Sequence, residues 1–410
     1  MHEGLCQSGA VTLTNWAGNT AFTASRIHHP TSLDELRSLV AAARRVRALG
    51  SGHSFNDVAD SPGELVRLDR MPPLIEIDGA AARVRVGAAT TYARLAPELH
   101  ARGFALANLA SLPHISVAGS VATGTHGSGV GNPSLSAAVR GLELVTADGS
   151  VVTLERGHDD FPGAVVALGA LGVVSALTLD LVPAFELRQY VREGVPDDAP
   201  FDEVMADGYS VSLFTDYRDT RAWIKTRGEP PGDDWHGTRP ADGPRHPVPG
   251  MPAESCTVQL GVPGPWHERL PHFRADAPPS SAGDELQSEW LLERSHAAAA
   301  LGELRAAGDR IRPVLQISEV RTVAADDLWL SPSCGRDSVA FHFTWVKNPE
   351  AVLPVIKLVE DVLAPFDPRP HWGKLFTRRP AVPDRFRELV RRYDPDGTFG
   401  NTFTRTLLDT

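Results

Sequence analysis

The chain has 410 residues, 42% hydrophobic and 22% charged, which is too long for one hydrophobic core and too apolar for disorder, so two globular domains are expected. Its formal net charge of −11, with no Lys/Arg-rich block, argues against a nucleic-acid partner. No window approaches the roughly 18 unbroken apolar residues of a membrane span, so no membrane partner is expected either.

In chain order, Met1-His2-Glu3-Gly4 lacks the basic and apolar regions of a signal peptide. Cys6, Cys256 and Cys334 are widely spaced and form no CxxC pattern, which suggests reduced thiols in a cytoplasm and no structural metal. The pair His28-His29 has no third ligand at sensible spacing and reads as a surface turn before Pro30. Thr31-Ser32 can cap a helix carrying Asp34 and Glu35 in its first turn and Leu33, Leu36, Leu39 and Val40 at helical spacing. A short strand over 45–49 follows, then a Gly-rich turn at Gly50-Ser51-Gly52. Val84 and Val86 alternate with arginines as in a half-buried strand, and a helix through Tyr92, Leu95 and Leu99 ends at Gly103. Asp148-Gly149 between two apolar runs predicts a hairpin, and the run 171–182 predicts a strand stopped by Pro183.

Composition changes after Pro183. Residues 228–252 are dense in Gly, Pro, Asp and His and read as a long surface loop without regular elements. Beyond it come a helix near 295–306, strands near 314–322 and 339–346, and a helix through Val352, Val355, Ile356, Val359 and Val362.

Two stretches carry chemistry. In Leu49-Gly50-Ser51-Gly52-His53-Ser54-Phe55, glycines after a strand let backbone N–H groups approach a phosphate closely. Phe55 stands where a third glycine of GxGxxG would be, and no Lys-Ser or Lys-Thr makes it a Walker loop. A second run of small residues, from Ser111 to Gly129, offers another open backbone, and two such loops suit an elongated diphosphate. On the other half, Glu319 and Arg321 share one strand face by period two, as do His342 and Thr344. There is no GxSxG elbow, which removes a serine hydrolase from consideration.

Together with the ending Asp394-Pro395-Asp396-Gly397-Thr398-Phe399-Gly400-Asn401, these loops resemble the vanillyl-alcohol-oxidase-type FAD family, and within it the bacterial alditol oxidases, over nearly the whole chain. The resemblance implies an α+β, two-domain flavoprotein: an FAD-binding domain over 1–183, completed by 369–410, and a substrate-binding cap domain over 184–368 with an antiparallel sheet flanked by helices. It implies FAD linked covalently to His53 and bordered by Gly50, Ser51, Gly52 and Ser54, by Ser111, Ser116, Gly119, Ser120, Thr123, Gly124, His126 and Gly127, and by Val173 and His371. Ser111, Gln287, Glu319, Arg321, Thr344 and Lys374 are implied to bind substrate, with Arg321, Lys374, Glu319 and His342 serving catalysis. The implied reaction oxidises the terminal alcohol of alditols such as xylitol and sorbitol and reduces O2 to hydrogen peroxide, in a monomer. An aldonolactone oxidase or dehydrogenase on the same scaffold is the nearest rival, and a flavin-free carbohydrate-binding protein is a more distant one.

Simpler roles stand beside these. His53 could merely cap a turn, and Glu319 with Arg321 could be an exposed ion pair. His114 and His126 are expected to make structural hydrogen bonds to neighbouring loops. For His371, a flavin contact and a packed, satisfied ring are both open. Ala110 lies where the family can gate oxygen access.

Overall fold

The computed structural model describes residues 13–278 and 283–408; Cys6 and the opening residues 1–4 lie outside the described residues. The N-terminal half starts with the strand Arg26–His28 and the helix Leu33–Ala42. Ser32 caps that helix by accepting from the Glu35 amide at 3.2 Å. The Glu35 carboxylate reaches back to the amide and hydroxyl of Thr31 at 2.7 and 2.9 Å, a reciprocal cap that the sequence spells out. The strands Val46–Ala48 and Glu64–Val66 join Arg26–His28 in a three-stranded parallel sheet. His28 is therefore a strand residue and pairs with Glu64, while His29 pairs with Asp69, which accounts for both rings without a metal.

A five-stranded antiparallel sheet follows, with Val173–Asp180 between Arg83–Gly87 and Val139–Val145. The predicted hairpin is present: Val139–Val145 pairs with Val151–Glu155 around Gly149, whose φ is +78°.

The second half is built on a nine-stranded antiparallel sheet. Its central strands run Glu186–Glu193, Thr220–Thr226, Ser210–Thr215, Leu315–Val323, Ser338–Val346 and Glu285–Glu293, in that spatial order. The two faces differ in kind. Val320, Phe341, Phe343, Trp345, Leu286 and Trp290 point to one side, where the helices Ala297–Ala306 and Pro349–Leu363 cover them with Leu304, Ile356 and Val359. Register sets the other side: Glu319, His342 and Glu289 stand opposite one another on three adjacent strands, and Ile317, Thr344 and Gln287 form the next row.

Segment 228–252 departs from the expected surface loop. Arg239–Pro240 pairs with Arg192 and Glu193 as a short edge strand, and Trp235, His246 and Pro247 are buried. Apolar and imidazole surface inside a Gly/Pro-rich run finds cover against the sheet, which composition alone does not reveal.

The chain's last segment returns to the first half. Buried Arg47 donates from Nη1 to the Phe399 carbonyl and from Nη2 to those of Val58 and Leu168. Asn401 Nδ2 donates to the carbonyls of Asp57, Val58 and Asp60 at 3.0, 3.2 and 2.8 Å.

Candidate active site

A cavity of about 280 Å³ extends between the two Gly-rich loops and the polar face of the large sheet. In the first loop Gly52 has φ +71°, a conformation glycine adopts freely. Gly50 is required by crowding: a Cβ there would lie 2.5 Å from the Ser116 hydroxyl, so the two loops approach more closely than any side chain permits. Ser51 Oγ accepts from the Ser116 amide at 3.2 Å and ties the loops together.

His53 stacks on Trp16, with ring centroids 5.2 Å apart and planes 15° from parallel. Both imidazole nitrogens are buried and neither makes a hydrogen bond of good geometry, although the Ser51 backbone lies close enough to favour the protonated ring. Burial, with His114 nearby, lowers its pKa to about 4, so the ring is neutral at ordinary pH. A turn-capping histidine would have a bonded nitrogen. The Ser116 hydroxyl is likewise buried and unpartnered. An elongated ligand bearing phosphates and a reactive ring edge fits this set of waiting donors and acceptors.

Ser51, Ser54, Ser111, Gly119, Ser120, Thr123, His126 and His371 also line the cavity, although the Ser120 hydroxyl is turned to Tyr92. Gly124, Gly127 and Val173 do not line it. Gly127 is small because a Cβ would meet the Leu109 carbonyl at 2.3 Å, and Gly124 backs onto Pro332. Val173 is fully buried in the core beside Leu36 and Phe399, leaving its neighbour Val174 at the wall. The signal missed there is strand alternation, which sends adjacent side chains to opposite faces.

At the sheet end, Gln287, Glu319, Arg321, His342, Thr344 and Lys374 all line the same cavity as His53. Glu319 and Arg321 are 4% and 5% exposed, far from the surface pair that spacing alone would suggest. The residue that organises them is Glu289, which the sequence reading passed over. Its carboxylate accepts from Arg321 Nη2 and from Lys374 Nζ, each at 2.5 Å, and lies 3.4 Å from His126 Nε2. Burial pushes this carboxyl upward, but Arg321, Lys374 and His126 outweigh it and hold Glu289 well below the usual range. Burial likewise opposes the Glu319 charge, and Arg321 and His272 overcome it. Glu289 shares strand parity with Gln287, so period two from a residue already singled out could have found it.

Lys374 Nζ is 2.9 Å from His342 Nδ1, and His342 Nε2 is 3.2 Å from the Thr344 hydroxyl. Burial lowers the Lys374 pKa; Glu289 pulls it up and Arg321 pushes it down further. His371 Nδ1 accepts from the Gly373 amide at 3.1 Å, which leaves its proton on Nε2. That ring is satisfied on one side and borders the cavity. His114 makes the expected structural bond, to the Ala275 carbonyl at 3.1 Å. Pro247 and Val248, from the segment read as a surface loop, complete the wall near Phe214 and Ile317.

The family described as "FAD binding domain" matches residues 24–155, and that described as "D-arabinono-1,4-lactone oxidase" matches residues 284–407. The chain is 56% identical to an alditol oxidase of Streptomyces sp. (strain IKD472 / FERM P-14339), over 97% of this chain and 99% of that one. It is 31% identical to an L-gulono-1,4-lactone dehydrogenase of Mycobacterium tuberculosis, over 96% and 98% of the two chains. Among solved structures it resembles cholesterol oxidase from B. sterolicum with a TM-score of 0.76, over 97% of this chain and 96% of that one. At 15% identity that last likeness speaks to the fold. Among the described residues no helix is long and apolar enough to cross a membrane.

Proposed function

The chain belongs to the alditol oxidase family of FAD-dependent oxidoreductases, and from that footing we propose that it oxidises the terminal carbinol of alditols such as xylitol and sorbitol, with O2 as acceptor and FAD held covalently by His53. The observation that carries this reading is continuity. The unpartnered His53 ring and the buried charges Glu289, Glu319, Arg321 and Lys374 line one cavity, as a cofactor and a hydroxyl-rich substrate placed edge to edge require.

FAD, when bound, would supply the acceptor for a hydride from the carbinol carbon, with O2 as the final oxidant. The chain's own residues do the rest. His53 presents a neutral ring nitrogen free to bond carbon, because burial keeps the proton off. Arg321 and Lys374 stabilise the alkoxide character of the reacting hydroxyl. In the neutral form that its lowered pKa makes accessible, Lys374 Nζ accepts its proton. Glu289 fixes both cations from behind, and His342 orients Lys374 through Nδ1. Glu319 accepts from the neighbouring hydroxyls, while Ser111, Gln287 and Thr344 set the register of the chain. Ala110 borders the cavity, where its small side chain leaves room for O2.

We also propose the division into 1–183 with 369–410 and 184–368, which the separate sheets support apart from Arg369–Pro370, a strand that pairs with Glu285–Glu293 in the large sheet. A cytoplasmic monomer is proposed too, supported by the free thiols Cys256 and Cys334.

The test is a spectrum of the purified protein, a denaturing gel, and anaerobic addition of xylitol. Yellow colour that stays with the denatured chain and bleaches with xylitol is expected. Colour that bleaches with an aldonolactone and not with any alditol would transfer the site to lactone oxidation, the activity named for the 31% identical relative. A protein that cannot be loaded with FAD would refute the reading.

A further inference from the structure

Glu319 has a second set of partners that the proposed chemistry leaves unused. Its Oε1 lies 2.9 Å from His272 Nε2. The other nitrogen of that ring, Nδ1, is 3.3 Å from Lys225 Nζ, which also donates to the Leu270 carbonyl. Lys225 is 2% exposed, on the strand Thr220–Thr226, where its cross-strand neighbours are the uncharged Gln189 and Ser210. A buried ammonium in a strand is costly unless its charge is engaged. The charged and titratable groups that face it are His272, from the coil before residue 274, and Glu319 and Arg321, from the strand Leu315–Val323.

Donor and acceptor roles follow from the geometry. An ammonium only donates, so His272 Nδ1 accepts from Lys225 and its proton sits on Nε2, aimed at Glu319. Burial, reinforced by Lys225, lowers the His272 pKa to about 4, so the ring is neutral and this tautomer is the one that satisfies both neighbours. The opposite oxygen of Glu319 faces Arg321 Nε at 3.7 Å. The His272 backbone amide donates to the Ser111 carbonyl at 3.1 Å, which fixes the coil to the second cofactor loop.

We propose that Lys225 and His272 form a relay that positions the Glu319 carboxylate for the substrate hydroxyls beside the reacting carbinol. The inference rests on the polyol reading of the site. Lys225 does not line the cavity, and His272, which does, has both ring nitrogens engaged by Lys225 and Glu319, so both act through Glu319. When Lys225 loses its proton, its remaining N–H groups can still donate, but the positive charge that polarises the His272 ring toward Glu319 is gone, which weakens the hold on Glu319. Burial lowers the Lys225 pKa to about 7, so the relay is intact below that pH and loosens above it.

The experiment uses the full-length, flavin-loaded protein and anaerobic reduction by xylitol, which separates the dissociation constant from the limiting rate of bleaching. Lys225→Met should raise the dissociation constant about tenfold, as loss of one charge-assisted contact does, and change the limiting rate less than about twofold. Wild type should show a rise in dissociation constant above about pH 7, and that rise should vanish in this variant. In a Glu319→Gln background the same substitution should add less than about twofold, because the relay has nothing left to hold. His272→Gln keeps a donor for Glu319 and should recover most of the affinity that His272→Leu loses, and this pair decides the matter if Lys225→Met does not fold. An unchanged dissociation constant in both relay variants, or a loss of the same size in the Glu319→Gln background, would overturn the relay alone. A yellow wild type that no alditol bleaches would overturn the polyol reading, and the relay with it.

Discussion

The Glu289 carboxylate is shared by two buried cations, Arg321 and Lys374, each at 2.5 Å, and is itself fully enclosed. Removing its charge while keeping its shape leaves two cations without their anion. Glu289→Gln should therefore destabilise the protein by about 3–5 kcal/mol and lower the Lys374 pKa further. Thermal unfolding and the pH profile of flavin reduction, measured together, check both halves; a variant as stable and as active as wild type would remove Glu289 from the site.

In the proposed reaction Lys374 takes the proton of the reacting hydroxyl. Lys374→Met should slow anaerobic flavin reduction by about 100-fold, within the range that a positioned acid or base contributes. A loss under about tenfold would move the role elsewhere in the cluster, with His342 the next residue to vary.

His53→Ala should release the flavin from the chain. On a denaturing gel, fluorescence should follow wild-type protein and be absent from the variant, while the native variant still binds FAD through the two Gly-rich loops. Fluorescence retained by the variant would place the bond on another residue.

Acid should destabilise the fold from a predictable point. In the flavin-free protein His53 and His272 are held at about 4 against an ordinary value of 6.5, so the unfolded chain takes up protons that the folded chain refuses in that interval. Stability is thus fully present above 6.5 and falls as pH drops toward 4. Glu289, whose folded value is depressed below 4.5, extends the loss at more acid pH. The unfolding midpoint recorded at stepped pH should decline through this interval, and less so in His272→Gln. A midpoint that holds steady would contradict the burial assigned to these rings.

Arg47 joins three carbonyls from three distant segments. Arg47→Met leaves the Phe399 and Leu168 carbonyls buried without a donor, at about 1–3 kcal/mol each, while the Val58 carbonyl keeps Asn401 Nδ2, and should lower both thermal stability and FAD content. Its Nε has no partner and its pKa is pushed down to about 10 by burial, so Lys, with fewer donors, should restore only part of the loss. Equal stability in Arg47→Met would show that these bonds contribute little.

Much of this was legible in the sequence where local chemistry decides the structure. The Ser32 cap, the Asp148-Gly149 hairpin and the strands around Glu319 and His342 are dictated by residues close in sequence. The strands Glu186–Glu193, Ser210–Thr215 and Thr220–Thr226 were not read, because Ser210–Thr215 is buried on both faces and shows no alternation. His53 and the charged pocket could be named through family resemblance, but Glu289, His272 and Lys225 could not. Their roles arise from cross-strand register and from a coil folding over the sheet, and neither leaves a mark at fixed spacing. Val173 lies off the cavity while its neighbour Val174 lines it, and strand parity separates the two.

The Arg47 latch bears on the order in which the molecule can be made. The Phe399 carbonyl it grips lies 352 residues further along the chain. A nascent chain that has emerged as far as the hairpin has both Gly-rich loops but not the strap that closes behind them. The flavin compartment is finished only once the segment around Phe399 has been made, so a chain stopped short of it lacks the contact that closes the first Gly-rich loop from behind.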